Sequence, residues 1–271
     1  MWKATFYLLR FVADSFWLHI AYLDSPYFPC FPEPGIIDGM TTNPNARNRH
    51  VVIRRVERPP LQVVDALAPI GTATVHEAVG RRGYVGHDIT PIQQGTRIAG
   101  PAVTVLSHPG DNMMIHAAVE VCQAGDVLVV VNTAPSTHGM FGDLLATSLM
   151  ARGVRGLVLD AGVRDTQDLR VMGFPVWSRY VSCQGTVKAT PGSVNVPVVL
   201  GGITINPGDV VCADDDGVTV VAREEAAWAL EKSQERLVKE EETRGRLEAG
   251  ELGVDFYGLR QKIIDLGVEY I

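Results

Sequence analysis

The stretch from Gly142 to Asp165, GDLLATSLMARGVRGLVLDAGVRD, joins a helical pattern to a strand pattern and decides the fold. The spacing of its leucines predicts a helix from Leu144 to about Arg152, which Gly153 ends as a C-cap. A strand from Gly156 to Asp160 follows, since its leucine and valine run is typical of a buried strand. The apolar face of the helix consists of Leu145, Leu149 and Met150.

Both ends of this stretch carry charged side chains in loops beside the helix and strand. The backbone N–H groups of Asp143, Leu144 and Leu145 have no intrahelical acceptor, so they form a seat for an anion such as a carboxylate. The planar guanidinium group of Arg164 can bind the same anion through a second set of hydrogen bonds. The alternative is that Asp143 and Asp165 are only helix N-caps and that Arg164 and Asp165 form a solvated pair.

Helices and strands alternate along the chain up to Val181. Asp126 to Asn132, DVLVVVN, is continuous and β-branched, as expected of a central strand covered on both faces. Thr72 or Thr74 is the expected cap of the second helix, and His138, in the loop after the central strand, is a candidate substrate contact. The other predictions are helices at Val63–Leu67, Thr74–Val79, Asn112–Gln123 and Thr166–Met172, a strand pair around Gly100-Pro101, and a strand at Val176–Val181.

The pattern changes between Val194 and Ala222 to strands separated by Gly and Pro turns. Four Val- and Ile-rich strands predict a small barrel-like or sandwich unit packed against the alternating α/β part. The acidic run Asp214, Asp215 and Asp216 precedes a glycine, and we interpret it as a tight turn rather than a metal site.

A single long helix is predicted from Glu224 to Ala249, with Ala226, Leu230 and Leu237 on an apolar line. Its other face is crowded with charge, which is typical of a solvated face. The helix is too long and too charged for the core of one domain, so we expect a role in assembly.

Composition describes an ordinary globular protein with 46% hydrophobic and 20% charged residues. The net charge of -7 argues against a nucleic-acid-binding surface, which needs a concentrated basic patch. Four cysteines lie far apart without CxxC spacing, so they indicate neither a zinc site nor a disulfide framework. A reducing cytoplasm is the default location.

Residues 1–50 are expected to be an N-terminal extension, either flexible or the product of a mis-assigned start codon with Met40 as the initiator. The first 40 residues are rich in aromatic side chains and end in a proline cluster. Arg10, Asp14 and His19 interrupt every apolar run, which leaves no core for a signal peptide and no membrane span. We therefore expect a cytoplasmic protein without membrane contact.

The spacing Asp-x20-Arg-Asp resembles the signature of the 4-hydroxy-4-methyl-2-oxoglutarate / 4-carboxy-4-hydroxy-2-oxoadipate aldolase family. The resemblance extends over roughly Val52 to Arg260 and includes the segments TVHEAVG, GDNMMIHAAV, PGDVVCADDDGV and GELGVDFYGLR. It implies an α/β fold for residues 51–223: an α-β-β-α sandwich of the RraA-like type, also found in swivelling phosphohistidine domains. It implies that the C-terminal helix and tail, 224–271, serve assembly of a homotrimer or homohexamer.

The activity implied by this resemblance is metal-dependent retro-aldol cleavage of a small 2-oxo acid to pyruvate plus pyruvate or oxaloacetate. Oxaloacetate decarboxylation passes through the same pyruvate enolate, and the sequence does not separate the two activities. A lysine-imine mechanism is not indicated, because the core from Thr72 to Ala222 contains only Lys188 and its surroundings do not suggest a depressed pKa.

The resemblance also implies a role for each site residue. Asp165 would bind a divalent cation, Mg²⁺ or Mn²⁺, directly, and Glu240 of a neighbouring subunit would reach the cation through water, in preference to Glu241 or Glu242. Arg164 would bridge the keto oxygen and the carboxylate of the pyruvyl part. Asp143 would move the proton. The implied substrate-binding residues are Gly142, Asp143, Leu144, Leu145 and Arg164.

The main alternative is a non-catalytic protein, the regulator of ribonuclease activity A, which shares this fold. Those regulators resemble the chain up to the arginine but lack the aspartate after it and the long C-terminal helix. The presence of Asp165 and of the helix favours the aldolase.

Overall fold

The computed structural model describes residues 50–271. The N-terminal extension expected at 1–50, including the proposed initiator Met40, thus lies outside the described residues except for His50. Helices and strands are interleaved up to Val181, as the sequence patterns predict, although α1 and α2 and two pairs of strands follow one another directly. The first elements are α1 Leu61–Leu67, a 3-10 turn Ala68–Ile70, α2 Thr72–Ala78, β1 Thr90–Pro91, β2 Ile98–Ser107, α3 Met113–Val119, β3 Val127–Asn132, β4 Gly139–Phe141, α4 Asp143–Met150, β5 Gly156–Val163, α5 Thr166–Met172 and β6 Val176–Val181.

Short strands and a long helix complete the chain, again as predicted for this half. Two hairpins, β8–β9 and β10–β11, supply most of the strand residues. The elements are β7 Ser193–Val194, β8 Val198–Leu200, β9 Ile203–Ile205, β10 Val210–Asp214, β11 Gly217–Val221, a 3-10 turn Arg223–Glu225, α6 Ala226–Glu248, α7 Gly253–Phe256 and α8 Leu259–Asp265.

Nine of these strands form one sheet in the order β1-β6-β5-β3-β2-β10-β11, with β4 beside β5 and β7 beside β2. The pairs among β2, β3, β5 and β6 are parallel, whereas β10 and β11 are antiparallel. The sheet curls towards a nearly closed barrel, and the result is a mixed α/β RraA-like fold with a long C-terminal helix.

Three buried clusters separate four layers of structure. Leu128 and Val130 of β3 face α3, α4 and α5, whereas Val129 of the same strand faces the β8–β9 and β10–β11 hairpins. In β10, Val211 faces the parallel strands and Val210 faces α1, α2 and α6. Successive side chains of a strand point to opposite faces, so this alternation generates the α-β-β-α order of layers that was expected.

The predicted strand pair around Gly100-Pro101 is wrong, because β2 is one continuous strand through both residues. Its first four residues pair with β10, and from Ala102 onwards it pairs with β3. Gly and Pro here mark the point at which the strand changes partners, and a local pattern resembles a turn at such a point.

Two details of the 142–165 stretch differ from expectation. Met150 is 43% exposed, so the buried face of α4 consists of Leu145, Ala146 and Leu149. The strand β5 continues past Asp160 to Val163, with an irregularity in its pairing with β6 after Leu159. Arg164 therefore follows the strand directly.

The acidic run at 214–216 connects β10 to β11 as the expected tight turn, yet Asp214 is buried rather than solvated. Its carboxylate accepts hydrogen bonds from the backbone N–H of Thr72, at 2.9 Å, and from the Thr72 hydroxyl group. Neither Thr72 nor Thr74 caps α2, because the N-cap position belongs to Gly71. Asp214, from a distant strand, thus provides the acceptor for a free N–H at the start of α2 that an N-cap side chain usually provides.

Helix α6 is a single long helix, as predicted, and its first turns are buried. Ala226 and Ala229 pack with α1 and α2, while Leu237, further along the predicted apolar line, is exposed. Within residues 50–271, no helix combines the length and the apolar character that crossing a membrane requires.

We expect Asp214→Ala to lower the free energy of unfolding by about 2–4 kcal/mol, because two donors on Thr72 lose a charged acceptor. The matched control is Asp215→Ala, which removes an exposed carboxylate that accepts from the Gly95 N–H and should cost less than about 1 kcal/mol. Urea unfolding measures both. Equal losses for the two variants would contradict a special role for the buried carboxylate.

Candidate active site

The pairing of β4 with β5 brings the two ends of the 142–165 stretch together. The two strands are parallel, with Phe141 opposite Val163, and the N–H of Arg164 donates to the carbonyl of Phe141 at 2.9 Å. Gly142 and Arg164 therefore leave neighbouring strands at the same edge of the sheet.

The carboxylate of Asp165 lies directly over Gly142. A Cβ atom on Gly142 would lie 2.1 Å from Asp165 Oδ2, and the N–H of Asp143 is 3.4 Å from the same oxygen. Arg164 Nε lies 3.3 Å from Oδ2. The carboxylate, the guanidinium group and the start of α4 form one cluster.

The N-cap alternative is wrong for Asp143, whereas Asp165 does occupy an N-cap position and does pair with Arg164, at 3.3 Å, through partly exposed side chains. Gly142 occupies the N-cap position of α4, and Asp143 is the first helical residue. Asp165 occupies the N-cap position of α5, but its side chain makes no capping hydrogen bond and turns towards Gly142 instead. Asp165 adopts the left-handed conformation, with φ 53° and ψ 37°, which is uncommon for residues other than glycine and is often found at functional sites.

The start of α4 presents the backbone donors of Leu144 and Leu145 to this cluster, as predicted, whereas the N–H of Asp143 points to Asp165 Oδ2. Within the described chain, the N–H groups of Leu144 and Leu145 have no acceptor. The side chain of Leu145 is buried, and that of Leu144 is 76% exposed. Both leucines can therefore bind a ligand through their backbone N–H groups, which together with the helix dipole favour an anion.

A pocket of about 80 Å³ opens beside these donors. It brings together Gly142, Asp143, Leu144, Leu145 and Arg164, the residues that the sequence assigned to substrate binding. Its remaining polar side chains, which we call the second wall, are Asn112, His116 and Lys188. Sequence patterns did not point to the second wall, and the only available signal was that Lys188 is the single lysine of the core.

His138 lies outside this pocket. Its ring contacts Gly110 and lies 3.4 Å from the hydroxyl oxygen of Ser136. On the other side of Arg164, a more open cavity of about 280 Å³ is lined by Arg164, Asp165, Val181, Ser182 and Cys183. Arg164 therefore borders two cavities.

The charged and neutral groups differ between the second wall and the start of α4. Partial burial and the positive charge of Lys188 lower the pKa of His116, so that its imidazole is neutral at pH 7. On the α4 side, Arg164 pairs with Asp165 only at the rim, where both side chains are partly exposed. The pocket therefore offers two positive charges, Arg164 and Lys188, one carboxylate, Asp143, and several neutral N–H donors.

The donor set near Asp165 fits one kind of cation. Among the described residues, no group of three His, Cys, Asp or Glu side chains converges as a metal cage. A single carboxylate such as Asp165 suits Mg²⁺ or Mn²⁺ ions that keep most of their water ligands. Within the chain, Glu240 lies elsewhere, where it accepts from the Thr74 hydroxyl at 3.2 Å and pairs with Arg236 at 2.8 Å.

We expect Gly142→Ala to displace the Asp165 carboxylate, because the added methyl group would overlap Oδ2. Mn²⁺ affinity, measured by paramagnetic resonance titration, should fall at least about tenfold. The backbone tolerates alanine, since φ of Gly142 is -156°. Gly185→Ala is the control, because a Cβ there meets no atom within 4 Å. Normal Mn²⁺ binding by Gly142→Ala would exclude Asp165 as the ligand.

The amino-acid sequence matches one protein family and a named relative. Residues 63–220 match the profile of the RraA-like family, described as Aldolase/RraA. Over 172 residues the chain is 29% identical to a protein of Halalkalibacterium halodurans named "Putative 4-hydroxy-4-methyl-2-oxoglutarate aldolase". That alignment covers 64% of this chain and 82% of the relative.

Comparison with solved structures points to the same family. A protein from Pseudomonas syringae pv. tomato superposes with a TM-score of 0.65 at 27% identity, covering 73% of this chain and 93% of the other. Streptomyces coelicolor RraAS2, described as an unusual member of the RNase ES inhibitor RraA protein family, superposes with a TM-score of 0.63 at 32% identity. This match covers 70% of our chain and 100% of RraAS2. Because the family profile spans more than half of the chain and includes the whole 142–165 cluster, the protein belongs to the RraA-like family.

Proposed function

We propose that the protein is a divalent-metal-dependent aldolase that cleaves 4-hydroxy-4-methyl-2-oxoglutarate or 4-carboxy-4-hydroxy-2-oxoadipate. The products are pyruvate plus pyruvate from the first substrate and pyruvate plus oxaloacetate from the second. The contact between Gly142 and Asp165 supports this proposal most strongly, because it places the Asp165 carboxylate and the Arg164 fork beside the pocket that the unpaired helix N–H groups line. The name of the Halalkalibacterium halodurans relative supports the same substrate class.

Each of these groups has a task in retro-aldol cleavage. The N–H groups of Leu144 and Leu145 bind the carboxylate of the 2-oxo acid, and Arg164 bridges this carboxylate and the keto oxygen. As the carbon–carbon bond breaks, its electron pair moves towards the keto oxygen, where Arg164 stabilises the developing charge. Asp143 accepts the proton of the 4-hydroxyl group, and a proton returns to carbon 3 to form the methyl group of pyruvate.

A bound cation would add Lewis-acid stabilisation at the same keto oxygen. Asp165 would hold Mg²⁺ or Mn²⁺ directly, with Glu240 of a neighbouring subunit acting through water. A lysine imine is less well supported, because Lys188, the single lysine of the core, is exposed to solvent. Oxaloacetate decarboxylation is proposed as a side activity, since loss of carbon dioxide leaves the same enolate.

Exposed apolar side chains support the proposed trimer or hexamer. Leu144 beside the pocket and Leu237, Val238 and Leu247 on α6 are exposed in the single chain. Assembly would cover such side chains and would bring α6 of one subunit to the pocket of another. We propose that the assembled enzyme acts in the cytoplasm on a small 2-oxo acid, without nucleic acid or membrane as a partner.

The decisive experiment is the exchange of pyruvate methyl protons with deuterated solvent, which requires the enolate but no aldol bond. Exchange should disappear after removal of divalent metal with EDTA and return with Mg²⁺ or Mn²⁺. Asp165→Asn should lose Mn²⁺ binding and exchange together. Arg164→Lys should bind Mn²⁺ but exchange about a hundredfold more slowly, a loss of about 2.7 kcal/mol of barrier lowering. Wild-type exchange in excess EDTA would refute the metal mechanism.

The role of Glu240 predicts a loss of activity without a loss of assembly. Glu240→Gln should lower kcat at least about tenfold with an unchanged molecular mass by light scattering. An active monomer, or normal activity of Glu240→Gln, would remove Glu240 from the site.

A second candidate is a ribonuclease regulator, since RraAS2 is described as a member of an RNase ES inhibitor family. Under this alternative, the wild-type protein would bind a ribonuclease of that type and lower its activity, and pyruvate exchange would be absent. Asp165 and the long α6 favour the aldolase.

A further inference from the structure

A buried carboxylate ties the second wall of the pocket together. Asp111 is 0% exposed, and it accepts hydrogen bonds from the N–H groups of Met113 at 2.9 Å, Ala189 at 2.7 Å and Thr190 at 2.6 Å. Burial alone would raise the pKa of Asp111, but the backbone donors outweigh it and lower the pKa below its usual value. The carboxylate is therefore charged and joins the start of α3 to the segment that carries Lys188.

Backbone pairing fixes the same segment a second time. The Val187 N–H donates to the carbonyl of Gly110 at 3.0 Å, and the Asn112 N–H donates to the carbonyl of Val187 at 3.1 Å. Lys188 stands between Val187 and the bonded Ala189, so its backbone is held even though its side chain is exposed. His116, one turn into α3, is held beside it by the same connections.

The second wall has unused binding capacity. Among the described residues, neither Lys188 nor His116 has an anionic partner. Asn112 is 8% exposed and donates through Nδ2 to the carbonyl of Met140 at 3.2 Å, and its buried Oδ1 has no donor. A buried acceptor without a donor is costly, so a ligand or water hydrogen is expected there.

We propose that Lys188 and His116 bind the second carboxylate of a 2-oxo dicarboxylic substrate, and this inference rests on the proposed aldolase function. The α4 start and Arg164 already satisfy the carboxylate and keto oxygen of the pyruvyl part. A second positive charge in the same pocket matches a second negative charge on the substrate. Lys188 supplies the ammonium group, and neutral His116 donates one N–H. The second wall thereby selects dicarboxylic over monocarboxylic 2-oxo acids.

The test compares a dicarboxylic and a monocarboxylic ligand of the same enzyme. In Lys188→Gln, the ratio of kcat/KM for cleavage of 4-hydroxy-4-methyl-2-oxoglutarate, which keeps its second carboxylate during the reaction, to kcat/KM for pyruvate proton exchange should fall at least about tenfold, chiefly through KM for the dicarboxylate. Lys188→Arg should recover part of this ratio, and His116→Gln should lower it by a smaller factor. The control Lys262→Gln removes an exposed charge on α8 and should leave the ratio unchanged.

Three results would overturn the inference. An unchanged ratio in Lys188→Gln would show that the lysine does not select dicarboxylates. An equal loss of both activities would assign Lys188 to the pyruvyl end. Borohydride trapping of pyruvate on Lys188 would assign it to imine chemistry.

Failure of the proposed function gives a different result. In that case wild-type protein with Mg²⁺ would not exchange pyruvate protons at all. The second wall would then be tested by calorimetry with 2-oxoglutarate and pyruvate. If Lys188→Gln bound 2-oxoglutarate more weakly than the wild type but bound pyruvate equally well, the second wall would be confirmed as a carboxylate site. Equal binding of 2-oxoglutarate by the wild type and the variant would refute the inference.

Discussion

Close packing between the segment before α4 and the end of β5 determines where the residues of the candidate site lie. A Cβ atom on Gly162 would lie 2.7 Å from the carbonyl oxygens of Thr137 and His138, and one on Gly142 would overlap the carboxylate of Asp165. Glycine at positions 142 and 162 leaves room for these contacts, because a Cβ atom at either position would overlap its neighbour. The start of α4, the arginine fork and the carboxylate converge because this contact is possible.

The layered core determines where that contact lies. Strands covered on both faces leave only their ends accessible, and in sheets of this kind ligands bind at the carboxyl ends of parallel strands. The pocket follows this rule: its residues come from β4 and from the chain that follows β2, β4, β5 and β6. Asn112 and His116 follow β2, Gly142 follows β4, Arg164 follows β5 and Lys188 follows β6.

Sequence patterns predicted what local periodicity determines. Helix Thr166–Met172 and strand Val176–Val181 agree residue for residue with the structure, and the Gly142, Leu144, Leu145 and Arg164 cluster was expected. They did not predict that Asp214 would bond to Thr72, because that contact joins segments 142 positions apart. The second wall was missed for the same reason, since Asp111 connects α3 to a loop 78 positions away.

The contiguity of residues 139–165 has a consequence for how such proteins diverge. Apart from Glu240 of a neighbouring subunit, the groups proposed for bond cleavage lie in this one segment, whereas the second wall comes from two other parts of the chain. Insertion or replacement in the 187–190 loop leaves the β4–β5 contact untouched. Under the proposed roles, lineages of this fold can inherit the cleavage segment as a unit and change the acids they accept by altering a short loop.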